Sequence, residues 1–236
     1  MMLRAAAVAL GLLGDAGRGA IPIDRTAVVF LSPDTGGPDH PRAITERELA
    51  FEARLEALAV GEAPDDERGL PKPRFLRAAI DRHVATELLA STPLERRDWV
   101  MTDPCTRARR VIEDERKDLE ARITLSRAML VARVRGESKL TAAAEREGMS
   151  EGDVLRFLRR EALAARYVDL VIAPMVVPSA TEIRDAHRAI PGLRDRPLAE
   201  VSCDVARLLF AERLGRSLAQ YRESSRSRVE LAFPDR

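Results

Sequence analysis

The residues of this chain that could do chemistry are few: three histidines, two cysteines and a scatter of carboxylates. His40 lies in a proline- and glycine-rich stretch, His83 in the middle of a helical pattern, and His187 near the end of another. His83 and Glu87 are one turn apart and would share a helix face, which offers two metal ligands at most. No HExxH motif and no third ligand accompany them, so a hydrogen bond on the helix surface is the expected role. Glu113, Asp114, Glu115 and Asp118 interleave with Arg116 and Lys117, the pattern of a solvated face rather than of an acid/base pair. No serine sits in a nucleophile elbow and no glycine-rich loop could cradle a phosphate. The expectation is a non-enzyme that uses neither metal nor cofactor.

Cys105 and Cys203 have neither CxxC nor metal-ligand spacing. An oxidising compartment would favour their pairing. The bridge would close a loop of about a hundred residues, stabilising by on the order of 4 kcal/mol in the chain-entropy picture. Two unrelated buried thiols are the alternative, because spacing alone does not show whether the two sites meet. The compartment is suggested by the amino terminus. Arg4 precedes the apolar run Ala5 to Leu13, and small residues follow to Ala20. That is the order of a secretory signal peptide over residues 1–20, too short to remain as a membrane span. No cysteine follows the run to carry a lipid, and no later stretch is long and apolar enough to cross a bilayer, so stable membrane insertion is not expected.

The remaining 21–236 suit one domain. Apolar residues make up 45% of the chain and aromatic residues only 4%, which points to a core of Leu, Val, Ala and Ile carried on helices. Charged residues are 33% and nearly balanced, with a formal net charge of +1, so the strong basic surplus of a nucleic-acid binder is missing. Lys72, Lys117 and Lys139 are the only lysines; every other basic side chain is arginine, spread along the chain beside acidic neighbours.

The elements follow from periodicity and capping. Ile23 to Leu31 reads as a strand, and Ser32 to Pro41 as a loop. Thr45 and Glu48 form a capping box that opens a helix, stapled by Ile44 and Leu49, with Leu49, Glu52, Leu55 and Leu58 along one stripe. Gly61 to Pro73 breaks it. A second helix is expected over Arg74 to Ala90, a loop with Trp99 over Ser91 to Pro104, and the longest helix over Thr106 to Arg135, stopped by Gly136. Leu140 to Glu147, Gly148 and the Ser150/Asp153 cap describe a helix-turn-helix whose second member runs to about Ile172, with Pro174 and Pro178 beyond it. Ser179 and Glu182 cap a short helix, Pro197 starts the last one, and Arg228 to Phe233 alternates like a half-buried strand. Because a lone strand leaves its backbone groups unpaired, the two terminal strands should pair. The expected fold is mainly α: an irregular multi-helix domain with a small β pairing of its N- and C-terminal strands.

This order resembles the SurA-type periplasmic chaperones. Ile23-Asp24-Arg25-Thr26-Ala27-Val28-Val29 is similar to the family's first strand, and Ile44-Thr45-Glu46-Arg47-Glu48-Leu49 to its "Ile-Thr-x-x-Glu-Leu". Ala79 to Val84 and Thr181 to His187 match later helices loosely, and the last helix with Val229-Glu230-Leu231 looks like the C-terminal piece that returns to the first strand. Two departures stand out. Ser32 to Arg42 enlarges the first loop, and no parvulin-type module fits between the Glu182 helix and the last one, so prolyl isomerase activity is not carried over.

The resemblance implies a periplasmic, ATP-independent chaperone that binds unfolded or partly folded envelope and outer-membrane proteins. That activity needs an apolar groove, for which Phe51, Leu55, Leu58, Ile80 and Val84 of the first two helices are the candidates, although their spacing also suits a core. An envelope assembly subunit with one dedicated partner is the alternative. A DNA-binding regulator is a third reading, but its recognition helix would open with Glu151, Gly152 and Asp153, placing carboxylates against phosphates.

Overall fold

The computed structural model describes residues 25–32, 41–94, 100–106 and 109–233. The expected signal segment, His40 and Trp99 lie outside them.

Strand β1 (Thr26–Leu31) carries Val28 and Phe30 inward, and both are buried. It is flanked by β2 (Arg42–Thr45) on one side and β5 (Glu230–Ala232) on the other, giving an antiparallel sheet of order β2-β1-β5. Phe30 stands opposite Leu231 and Val29 opposite Ala232, so the two ends of the domain pair as their backbone groups require, but all three residues of β5 are exposed where the alternation predicts a half-buried strand. β2 was not expected. Ile44 pairs with Val28 and is fully buried, so the residue read as half of a hydrophobic staple is also a strand residue, and Leu49 joins it in the same apolar cluster.

Helix α1 (Glu46–Ala59) starts at the Thr45/Glu48 capping box, which satisfies free backbone donors of the first turn. Helix α2 (Pro73–Ser91) starts with proline where a missing N–H costs nothing. Between them, the residue 60–72 segment is pinned by Arg54. This buried arginine bonds Asp65, reaches Glu147 at 2.6 Å and meets the Gly69 carbonyl at 3.5 Å, while Arg146 also bonds Asp65 and Gly69.

The stretch expected as the longest helix starts late. Val100–Thr102 (β3), within the expected loop, and Arg109–Val111 (β4), within the expected helix, form a hairpin, and helix α3 (Glu115–Val134) begins only after Asp114, whose side chain accepts from the Arg116 and Lys117 amides. Asp103 turns the chain where the helix was expected to begin: its carboxylate accepts from the Cys105 and Thr106 amides. Side-chain capture of these amides competes with helix. Gly136 was expected to stop α3, but Arg135 takes the left-handed conformation (φ 63°), and Gly136 follows at φ 141°, a geometry that a Cβ would strain.

Helix α4 (Glu137–Arg146), a turn through Gly148 (φ 61°), and α5 (Glu151–Tyr167) make the helix-turn-helix. The Ser150/Asp153 box is present. A π-helical turn at Val168–Ile172 joins α5 to the short α6 (Ala173–Met175). Then come α7 (Ala180–Ala189), capped by Ser179 and Glu182, α8 (Pro191–Arg194) and α9 (Leu198–Ser227), which leads back to β5.

Two apolar clusters organise the body. One gathers β1, β2, α1 and α2 around Phe30, Ile44, Ala53, Val84 and Leu88. The other gathers α1, α3, α4 and α5 around Phe51, Leu55, Val134, Leu140 and Leu158. A smaller one holds the C-terminal half of α9, with Leu214, Leu218 and Tyr221 against Leu89, Ala164 and Ile172.

Candidate functional site

The groove residues expected from sequence do not form a groove. Phe51, Leu55 and Val84 are almost wholly enclosed, and Leu58 and Ile80 pack from the side. They also divide between the two clusters: Phe51, Leu55 and Leu58 in one, Ile80 and Val84 in the other. This corrects the expectation. A stripe at core spacing has been used as core, and the ring of Phe51 meets that of Phe157 edge-on at 5.4 Å.

The densest chemistry lies between α1, α2 and α5. Glu52 and His83 are each only 3% exposed, and His83 Nδ1 lies 2.8 Å from Glu52 Oε1. Arg160 of α5 donates to the same oxygen. Burial alone would raise the Glu52 carboxyl's pKa, but its interaction and hydrogen bond with His83 and the charge of Arg160 outweigh it and hold the group below the ordinary glutamate range. Since the ionised carboxylate can only accept, the shared proton sits on His83 Nδ1. His83 thus bonds across to α1 rather than along its own helix to Glu87, which corrects the helix-surface role. Glu87 instead accepts from Ser91 and faces Arg42 at 3.8 Å.

A second layer continues outward. Arg82 donates to Glu56 at 2.9 Å and to Glu161 at 3.0 Å, and Arg133 of α3 donates to Glu56 at 2.7 Å. Burial works against the Arg82 charge, and the two carboxylates more than restore it. The network links α1, α2, α3 and α5, enclosed at Glu52 and His83 and partly exposed at its outer arginines and carboxylates. Among the described residues no group of three or more His, Cys, Asp or Glu could hold a metal ion. One signal for the network was visible in sequence: Glu52 occupies a position in the apolar stripe with Leu49, Leu55 and Leu58.

The supposed solvated face of α3 is also divided. Asp118 and Asp169 grip the buried Arg122 at 2.7 and 2.6 Å, and Glu115 accepts from the buried Arg166 at 2.6 Å, while Arg116 and Lys117 remain exposed. Cys105 and Cys203 form a disulfide, with Cα atoms 4.9 Å apart, that ties the β3–β4 hairpin to the first turns of α9.

Large apolar side chains face outward elsewhere. Leu125 (57% exposed) and Met129 (64%) are neighbours one turn apart on α3, and Leu155, Met175 (72%) and Leu208 stand out from α5, α6 and α9. α5 itself is packed against both α2 and α3, and its first turn presents Glu151 and Asp153. No helix among the described residues is long and apolar enough to cross a membrane by itself. Compared with family models, curated proteins and solved structures, the chain matches none.

Proposed function

We propose that this protein is an exported, ATP-independent chaperone-like binder of non-native envelope proteins, built on a SurA-type core without an isomerase module and without catalytic chemistry of its own. The observation that carries the reading is a set of large apolar side chains left exposed, Leu125, Met129, Leu155, Met175 and Leu208, on a body whose interior also encloses Glu52, Arg54, His83, Arg122 and Arg166. Flexible methionine and leucine side chains suit partners of varied sequence, because they repack without demanding one geometry. The contact surface therefore lies on the outer faces of α3, α5, α6 and α9 rather than on the enclosed residues of α1 and α2.

Two further features support the reading. The last helix leads back to β5, which pairs with the first strand, as the SurA resemblance implies for its C-terminal piece. The disulfide suits an oxidising compartment outside the cytosol. The regulator alternative loses ground, because α5 is held on two sides by other helices and opens with carboxylates, leaving little for a major groove to receive.

The test is a light-scattering assay in which an unfolded outer-membrane protein is diluted into buffer with increasing amounts of this chain. Suppression of aggregation near stoichiometric amounts is expected, and the double variant Leu125→Glu, Met129→Glu should need several-fold more protein for the same effect. No suppression at large excess would remove the chaperone reading; a single stoichiometric partner recovered from envelope extract would replace it with the dedicated-subunit alternative.

A further inference from the structure

The C-terminal helices form an arm that differs in its attachment from everything else in the molecule. No residue of α7 or α8 is buried, and the main contacts of α7 run to α9 and α8. Within the arm, Glu182 of α7 binds Arg213 of α9, and the carbonyl of Arg196 lies 2.9 Å from His187 Nε2. The far half of α9 is anchored by packing, through Leu214, Leu218 and Tyr221, and by Arg226 on Asp81 of α2. Its near half begins with the turns that carry Cys203, about 16 Å from Leu214 along the helix axis at 1.5 Å per residue. There the disulfide to Cys105 is the only covalent link to the body other than the chain itself, since the protein has no other cysteines.

We propose that the Cys105–Cys203 bond is a redox latch that holds the α7–α9 arm in place through the β3–β4 hairpin. Neither cysteine is buried, so a thiol reagent can reach the bridge. Arg207 is one turn from Cys203 on α9, and its charge is felt by Asp103, two residues before Cys105. A cation in that position favours the Cys203 thiolate as leaving group. A reducing dithiol attacks the Cys105 sulfur, forming a mixed disulfide and releasing the Cys203 thiolate. The reagent's second thiol then displaces Cys105. The two cysteines end as thiols, and the reagent, having given up two electrons and two protons, ends as a disulfide. The hairpin stays with the body, because β3 packs on the π-helical turn and α6, whereas the arm keeps its chain connection, the packed far end of α9 and the buried Val201, Val205 and Ala206 of its near half.

Hydrogen–deuterium exchange on the purified, oxidised full chain, with and without dithiothreitol, tests this. Amides of 180–189 and 198–210 should exchange at least tenfold faster after reduction, with α1, α2 and α5 unchanged. The double variant Cys105→Ser, Cys203→Ser should reproduce the reduced pattern without reagent. Equal exchange in both redox states, an equal rise across the whole chain, or two free thiols by alkylation and mass in the untreated protein would each overturn the latch.

Discussion

The α1–α2–α5 body and the α7–α9 arm are drawn from the same arginine, glutamate, leucine and alanine alphabet, and both open helices with a capping box. They differ in what the charged residues enclose. In the body, Glu52, His83 and Arg160 meet inside, and Arg82, Glu56, Glu161 and Arg133 extend the network at its edge. In the arm, Glu182 and Arg213 meet at the surface over a helix with no buried residue. A charge pair removed from water is costly to break, because the partner left behind remains desolvated; an exposed pair returns to water at little cost. The body should therefore unfold as a unit, while the arm's order rests on caps, the bridge, the buried Val201, Val205 and Ala206, and the far end of α9.

The strongest way to break this contrast is to orphan the buried carboxylate. His83→Ala should lower stability by about 3–5 kcal/mol in urea denaturation, since it removes the hydrogen-bond partner of the buried Glu52 on α2 and opens a void. A loss near zero would mean that the interior is wetter than the geometry implies. Leu55→Ala, which touches no charge, should cost about 2–5 kcal/mol by the same measurement.

Acid sharpens the comparison further. The Glu52 carboxyl is held below its ordinary value of 4.5, so its contribution is fully present above that pH and is lost as pH falls through the lowered value. Glu182 behaves with the same sign: the Arg213 guanidinium and the Ser179 hydrogen bonds hold it at about 2, so its contribution fades between 4.5 and about 2. Thermal unfolding against pH should therefore lose part of its acid slope in Glu52→Gln, whereas Glu182→Gln should change exchange in α7 and leave the global midpoint where it was. The smallest effect belongs to Ser179→Ala, which should cost about 1 kcal/mol of local helix stability, visible as faster exchange at the start of α7 alone.

Much of the fold was legible because short-range chemistry decides it. Thr45/Glu48, Ser150/Asp153 and Ser179/Glu182 each mark a helix start where one occurs, and the alternation of Arg228 to Phe233 marks β5 and its pairing with β1. What was hidden depends on distant partners. The hairpin over Val100 to Val111 reads as loop up to Pro104 and as helix from Thr106, because its strands are three residues long and are held by β3 packing on the π-helical turn, which no local pattern announces. The charge network was hidden for a related reason. Glu52 finds His83 and Arg160 from 31 and 108 residues away, so only its place in an apolar stripe hinted at burial. The expected groove residues are enclosed because helical periodicity identifies the face that is buried; the exposed Leu125 and Met129 sit where periodicity expects polar residues.

The most direct test of the proposed function is photo-crosslinking to an unfolded outer-membrane protein, with a photoreactive side chain placed in turn at Met129, Met175 and the exposed Glu120 of the same α3. Strong crosslinks from Met129 and Met175 with little from Glu120 are predicted. Equal yields at all three positions, or none at the methionines, would contradict the assignment of the outer apolar faces as the binding surface.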